Sequence, residues 1–371
     1  MESAIITAVN VYSMKLELNS KYENSLGVKD KVDSVLLFLR TDNGIYGFSS
    51  IEPDSPSYSE ETFYNIKSTV ENEFAPLIKG QDPMDSAIIM NRLGRSVYGH
   101  YMSKSLVESA LLDLKGKLLR LSVLNMLGGP VHDNMKVIGW VGIGRIEDIS
   151  NQVKRILSDN FSTIKLKIGP DVEKNTSILS AIRKEFGYDF SIRADANQSM
   201  NRSSALKFIE SASHFELELI EQPVDRMDID SMAFLSKRSS IPIMADESAV
   251  TRQDILRLIQ REAASIVKMK VMRNGGVSET LKMIAVAEAG GIDCVIGNGF
   301  SSSLGTQVEA TVALASPSLS SEHEFVGPLK LKYDIVKEKS EYIHNVLKFR
   351  NGPGFGYDFE DLTETVRSSI V

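Results

Sequence analysis

Six polar residues each close a short apolar run between positions 160 and 300. They are Lys167 in TIKLKI, Asp195 in FSIRADA, Glu221 in LELIEQ, Asp246 in PIMADE, Lys270 in SIVKMKV and Asn298 in DCVIGN, at steps of 28, 26, 25, 24 and 28 residues. Carboxylates buried singly are costly, and three brought to one point repel each other. A hard divalent cation removes the conflict. Oxygen donors without clustered His or Cys favour Mg2+ over Zn2+, with Mn2+ as an alternative. On this reading Asp195, Glu221 and Asp246 are the metal ligands, and Lys167 and Lys270 lie on the runs that flank them. A lysine near other cations and partly out of water gives up its proton more easily. One lysine can then take a proton from the α-carbon of a carboxylate substrate and the other can return one, with the metal stabilising the enediolate between. Lys165, two residues before Lys167 on the same strand face, supplies a charge that depresses its neighbour and helps to hold the anion. Asn197 is read as a hydrogen-bonding support for the ligand two residues earlier. Glu247 is expected to point away from Asp246 and to pair with a lysine.

A step of about 26 residues is the length of one strand plus one helix. Between the apolar runs lie amphipathic stretches such as EKNTSILSAIRKEF, NRSSALKFIESASH and RQDILRLIQREA. Short strands alternating with helices indicate a parallel sheet, and seven or eight such units indicate a closed α/β barrel, whose carboxyl-end rim carries active sites. Residues 1–50 differ: AIITAVNVYSMKLEL and DSVLLFLRTDNGIYGFSS read as strands with a hairpin turn at DNG, and 60–127 read as helices. The expected organisation is an α+β capping domain over 1–130, completed by about 330–371, and a barrel over 131–329. The segment EYIHNVLKFRNGPGFGYD is expected to return to the first domain.

The chain has 371 residues and a formal net charge of −7, with no basic tract. Nucleic acid and anionic membrane are therefore poor partners. The single cysteine, Cys294, sits in the apolar run IDCVI and reads as a core residue. MESAIITAVN lacks the charged leader and apolar core of a signal peptide, and no run reaches the length of a membrane span, so a cytoplasmic location is expected.

The motifs KLK at 165–167, DAN at 195–197, EQP at 221–223, DES at 246–248 and KVMRNGG at 270–276 resemble those of the enolase superfamily, in its muconate lactonizing enzyme subgroup. The likeness covers essentially the whole chain. It implies a modified TIM barrel, (β/α)7β, under an N-terminal α+β capping domain. It also implies Asp195, Glu221 and Asp246 on Mg2+, and Lys167 with Lys270 as the acid/base pair. Lys270 is preferred to Lys268 because the family's base stands five residues before the first glycine of the GG pair. Lys268 is a departure, expected to tune Lys270 or to pair with Glu247. Another is GNGFSSSLG at the seventh strand end, where Ser301 stands in place of a glutamate common in muconate cycloisomerases. The Asp-x-Asp of dipeptide epimerases is absent there too.

The resemblance implies a racemase or epimerase of an amino-acid derivative or related acid. A dehydratase or a cycloisomerase, of the muconate or o-succinylbenzoate synthase kind, is the alternative on the same scaffold. A non-catalytic binding protein would be expected to break the ligand set, which is intact here. Substrate contacts are expected from Asn298, Phe300 and Ser301 and from two capping loops, about 17–29 and 50–60, carrying Tyr22 and Tyr58. The partner is a small carboxylate, and a homo-oligomer is expected.

Overall fold

A computed structural model describes residues 4–24, 27–53, 60–319 and 322–370. Strands β1 (Ile6–Asn24), β2 (Gly27–Thr41) and β3 (Tyr46–Ile51) form an antiparallel sheet, with the DNG turn between β2 and β3. The sheet's inner face (Val35, Leu37, Leu39) packs on the helices Ser86–Ser96 and Tyr101–Leu119.

The remaining sheet curls. Short strands β4 (Met135–Val137) and β5 (Gly139–Val141) are followed by β6 (Thr163–Lys167), β7 (Ser191–Asp195), β8 (Leu217–Glu221), β9 (Ile243–Ala245), β10 (Ile266–Met269), β11 (Asp293–Asn298) and β12 (Glu322–Phe325). Each of β6 to β11 pairs with the next in parallel. Closure comes from residues 135–141, where β4 pairs with β12 and β5 with β6, so that β4 and β5 act as one interrupted first strand. Seven helices of eight or more residues, from Ile146–Ser158 to Ser303–Ala315, alternate with these strands, giving (β/α)7β. Five of them begin at a side chain that caps the first turn: Asp171, Asn201, Asp228, Thr251 and Ser302. The strands are buried on both faces. In β6, Ile164 and Leu166 join the hydrophobic core, while Lys165 and Lys167 line the cleft inside the barrel.

Two expectations change. Of the first capping loop, the described residues 17–24 and 27–29 are strand, the paired ends of β1 and β2, displaced in register between Glu17 and Tyr22. A strand pairing needs only main-chain groups, so the run of charges did not prevent it. Of the second loop, residues 54–59, with Tyr58, lie outside the described residues. The tail also divides. Its segment Tyr342–Leu347 forms a hairpin, β13 (Tyr342–Ile343) and β14 (Val346–Leu347), that extends the barrel sheet beside β4. Residues on either side of it, Leu331, Ile335 and Val336 before and Tyr357, Leu362 and Val366 after, pack with Leu16, Phe38 and Phe48 of the antiparallel sheet.

Among the described residues no helix is long and apolar enough to cross a membrane. Cys294 is buried in the core, and burial pushes its thiol up to about 12. Iodoacetamide at pH 8 is therefore expected to label it only at the rate of unfolding. Labelling complete within minutes in folded protein would contradict this placement.

Candidate active site

Parallel pairing sets Lys167, Asp195 and Glu221 side by side, as Cα partners on β6, β7 and β8. Asp246 follows β9 and Lys270 follows β10. In the ring of eight strands, counting β4 and β5 as the first, Lys167 ends the second and Lys270 follows the sixth. They therefore stand on opposite sides of the mouth, with the three carboxylate strands between them. Both line one cleft at the barrel mouth, together with Trp140, Tyr22 and Phe300.

The backbone at these strand ends is unusual. Asn197, Gln198 and Gln222 have φ of 43°, 66° and 37°, the left-handed region, each within three residues of a carboxylate. Gln222 offsets this strain. Its Oε1 accepts from the main-chain N of Asp246 at 3.0 Å, and its Nε2 donates to Ser248 Oγ at 2.8 Å, so EQP is tied to DES. In KVMRNGG, Asn274 Oδ1 accepts from Lys270 N at 2.6 Å, while its Nδ2 donates to the carbonyls of Ala249 and Val250 at 3.0 Å each. Gly276, at φ 110°, lies so close to Glu108 that a Cβ there would stand 2.0 Å from its Oε2.

The carboxylates are fully buried and crowded by cations. Lys167 Nζ lies 2.6 Å from both Asp195 Oδ2 and Asn197 Oδ1. Lys270 Nζ is 3.0 Å from Asp246 Oδ2, and Arg273 donates to Asp246 Oδ1 at 2.7 Å and to its carbonyl at 2.6 Å. Despite burial, these neighbours hold Asp195 and Asp246 well below the usual carboxylate range. Glu221 goes the other way: burial and the charge of Asp195 push it up to about 8. Glu247 does not point away. It is buried, accepts from Asn197 Nδ2 at 3.3 Å, and is pushed up to about 7 by burial and by Asp246 and Asp195.

Inside the barrel, side chains from four alternate strands meet: Lys165, Glu221, Lys268 and Glu324. Lys165 Nζ lies 2.9 Å from Glu221 Oε1 and 3.0 Å from Glu324 Oε2. Lys268 Nζ lies 3.3 Å from Glu221 Oε1 and also donates to Glu324. Lys165 further reaches Asp195 Oδ2 at 2.7 Å. Burial alone would lower both lysines, but the carboxylates outweigh it and raise them. Glu324 is held down at about 2, its burial outweighed by Lys165 and Lys268. Lys268 thus pairs with Glu221 and Glu324, not with Glu247. Alternate strands of such barrels contribute four-residue layers, ordinarily aliphatic; here the layer is charged.

This donor set suits a hard cation. Glu247 Oε2 is buried and receives no hydrogen bond. Lys165 Nζ stands 2.8 Å from Glu221 Oε2 but outside hydrogen-bonding geometry. Carboxylate oxygens at three neighbouring strand ends, with no His or Cys beside them, favour Mg2+ or Mn2+ over zinc. Among the described residues no three carboxylate, His or Cys side chains converge to ligand distance. The oxygens of Asp195 and Asp246 are taken up instead by Lys165, Lys167, Lys270 and Arg273.

Phe300 and Tyr22 meet edge to face, 5.1 Å between centroids, and line the cleft with Trp140. Ser301 does not face it: its hydroxyl donates to Glu52 Oε2 at 3.2 Å, between barrel and capping sheet. The side chain of Asn298 lies outside the described residues, although its backbone ends β11. Three residues escaped the sequence reading. Arg273 sits inside the quoted motif KVMRNGG, and Glu324 inside the strand candidate EHEFV. Lys330 carries no motif at all, and only its fold neighbours reveal it.

The chain was compared with known proteins. Residues 6–128 match the mandelate racemase / muconate lactonizing enzyme N-terminal domain, and residues 148–362 match the enolase C-terminal domain-like family. The chain belongs to the enolase superfamily, in its muconate lactonizing enzyme subgroup. It is 29% identical to an N-succinyl-L-Arg/Lys racemase of Bacillus cereus over 96% of each chain. A muconate lactonizing enzyme from Pseudomonas fluorescens, complexed with muconolactone, superposes with a TM-score of 0.94 at 32% identity, over 99% of both chains. A dipeptide epimerase from Enterococcus faecalis, complexed with Mg and the dipeptide L-Leu-L-Tyr, superposes at 0.89 with 26% identity, over 95% of this chain and 99% of that one.

Proposed function

We propose that this enolase-superfamily isomerase racemises or epimerises a carboxylate substrate, an amino-acid derivative or related acid, by moving its α-proton between two lysines. One observation carries the reading: Lys167 and Lys270 stand on opposite sides of a single cleft, each against a carboxylate at a strand end. Asp195, Glu221 and Asp246 are the residues that would hold Mg2+. When bound, the ion supplies Lewis-acid stabilisation of the negative charge that develops on the substrate carboxylate. The steps belong to the lysines. A neutral Lys167 amine takes the α-proton and becomes an ammonium, leaving the electron pair delocalised into the carboxylate as an enediolate. The Lys270 ammonium then gives its proton to the opposite face and becomes neutral, so that configuration inverts and no atom is lost. The reverse reaction exchanges the roles. Lys165 and Lys268, bound to Glu221 and Glu324, form a charge-matched floor to the cleft.

The relatives named for racemisation and epimerisation support this reading, and the Mg-bound epimerase supports the metal. The similarity to a muconate lactonizing enzyme favours cycloisomerisation as the second reading. The remainder of the proposal is a cytoplasmic homo-oligomer acting on a small carboxylate. The test is incubation with Mg2+ and pooled N-acylamino acids, hydroxy acids, proline derivatives and muconates in D2O, followed by mass spectrometry. Deuterium gained at an α-carbon supports racemisation. A lactone product moves the assignment to cycloisomerase.

Metal binding is checked separately by thermal denaturation. Saturation at a hundredfold excess over Kd is expected to stabilise the protein by about 2.7 kcal/mol. Asp246→Asn should remove that shift; a shift of equal size in Asp246→Asn would place the ion elsewhere.

A further inference from the structure

Lys330 ends the short helix Gly327–Lys330 after β12. It is 8% exposed, and its Nζ lies 4.7 Å from the ring centre of Tyr22, 4.8 Å from Trp140 and 4.8 Å from Phe300. The β1–β2 hairpin clasps this segment: Asn19 Nδ2 donates to the carbonyl of Leu329 at 3.0 Å, and Lys332 N to that of Glu17 at 2.8 Å. No described residue gives Lys330 Nζ a hydrogen bond or an ion pair. The other buried cations of the cleft are matched, Lys165 and Lys268 by glutamates, Lys270 and Arg273 by Asp246. Lys29, over the same Phe300 ring at 5.4 Å, adds a second positive charge at this end.

We propose that Lys330, with Lys29, is a specificity residue that receives a second carboxylate, carried by the substrate at the end remote from its α-carboxylate. This deepens the assignment above and rests on it. A buried ammonium without a counter-charge is costly, and three ring faces recover only part of the lost hydration. A ligand anion supplies the rest. Tyr22, Trp140, Phe300 and Lys330 also line a second, open cleft of about 2010 Å³, so a substrate reaching past the lysine pair passes along this wall. One buried ammonium, with only Lys29 beside it across the Phe300 ring, matches a singly charged carboxylate better than a phosphate, which calls for several convergent donors. Burial and the charges of Lys167 and Lys165 push the Lys330 amine well below its ordinary value, in keeping with a group that lacks an anion.

Trp140 is the only tryptophan in the chain, and it touches Lys330, so its fluorescence reports this site without turnover. Dicarboxylates from succinate to pimelate, and the monoamide of each, would be titrated in the presence of Mg2+. In the wild type at least one dicarboxylate is expected to bind ten times or more tighter than its monoamide. In Lys330→Met that ratio is expected to fall within twofold, while the variant melts no lower than the wild type. Equal binding of acid and amide in the wild type, or a ratio preserved in Lys330→Met, would overturn the proposal. No binding by any dicarboxylate would overturn it as well. The same panel is offered with α-amino-acid amides of each dicarboxylate in D2O. Absence of α-exchange alongside a preserved acid preference would remove the two-lysine reading and leave Lys330 as an anion site.

Discussion

Lys270→Ala is expected to lower racemisation by about a thousandfold in both directions, the usual scale for a lost general acid or base. The loss should be selective in a way that a merely damaged site would not reproduce. One enantiomer presents its α-hydrogen to Lys167, and that enantiomer should still exchange with deuterium, retaining configuration. Lys167→Ala should show the mirror result, exchange of the other enantiomer only. Asp246 keeps Arg273 at 2.7 Å when Lys270 is truncated, so the site need not collapse. Chiral chromatography measures inversion, and proton NMR in D2O measures exchange. Inversion within tenfold of wild type in either variant would remove that lysine from the proton path. Equal loss of exchange for both enantiomers would replace the two-sided mechanism with a one-sided one.

The largest stability effect is expected from Glu324→Leu. It leaves Lys165 and Lys268 sharing fewer buried carboxylates, and stranding buried charge costs about 3–5 kcal/mol. Urea unfolding should show a midpoint shift of that size. A loss below 1 kcal/mol would mean that water or a neighbouring carboxylate takes over the partnership. The double variant Lys268→Met, Glu324→Leu should recover part of the loss, which a double-mutant cycle would quantify. The sign with pH follows from the lowered carboxyl. Glu324 stays ionised down to about 2 in the folded protein, against 4.5 when exposed. Its contribution is therefore complete above pH 4.5 and is lost as the pH falls toward 2. The stability difference between wild type and Glu324→Leu should narrow across that window.

The strand ends were legible because each closes an apolar run at a nearly constant step, and parallel pairing turns equal steps into equal height on the rim. Lys167, Asp195 and Glu221 illustrate this directly as register partners. Glu324 was not legible as a site residue. EHEFV reads as a strand, but whether its second glutamate meets Lys165 depends on closure through residues 135–141, which no local pattern encodes. Lys330 was hidden for the same reason, since Tyr22, Trp140 and Phe300 come from three distant parts of the chain. Ser301 was misplaced because the turn after β11 directs it toward Glu52. The tail hairpin at 342–347 was misassigned because an alternating segment pairs equally well with any open edge, and β4 offered one.

The charged layer also governs how the barrel can be divided. Its contacts join residues 47 to 159 positions apart, so none of them forms within a single strand–helix unit. A cut between Glu221 and Lys268, for example at the exposed Lys237–Arg238, leaves one lysine and one glutamate of the layer on each fragment. A cut between Lys165 and Glu221, or between Lys268 and Glu324, isolates an unmatched charge on one piece. Two half-barrels divided between Glu221 and Lys268, as near position 238, each keep one lysine–glutamate pair of the layer, and a split or permuted version of the chain should tolerate a joint there better than one between Lys165 and Glu221 or between Lys268 and Glu324.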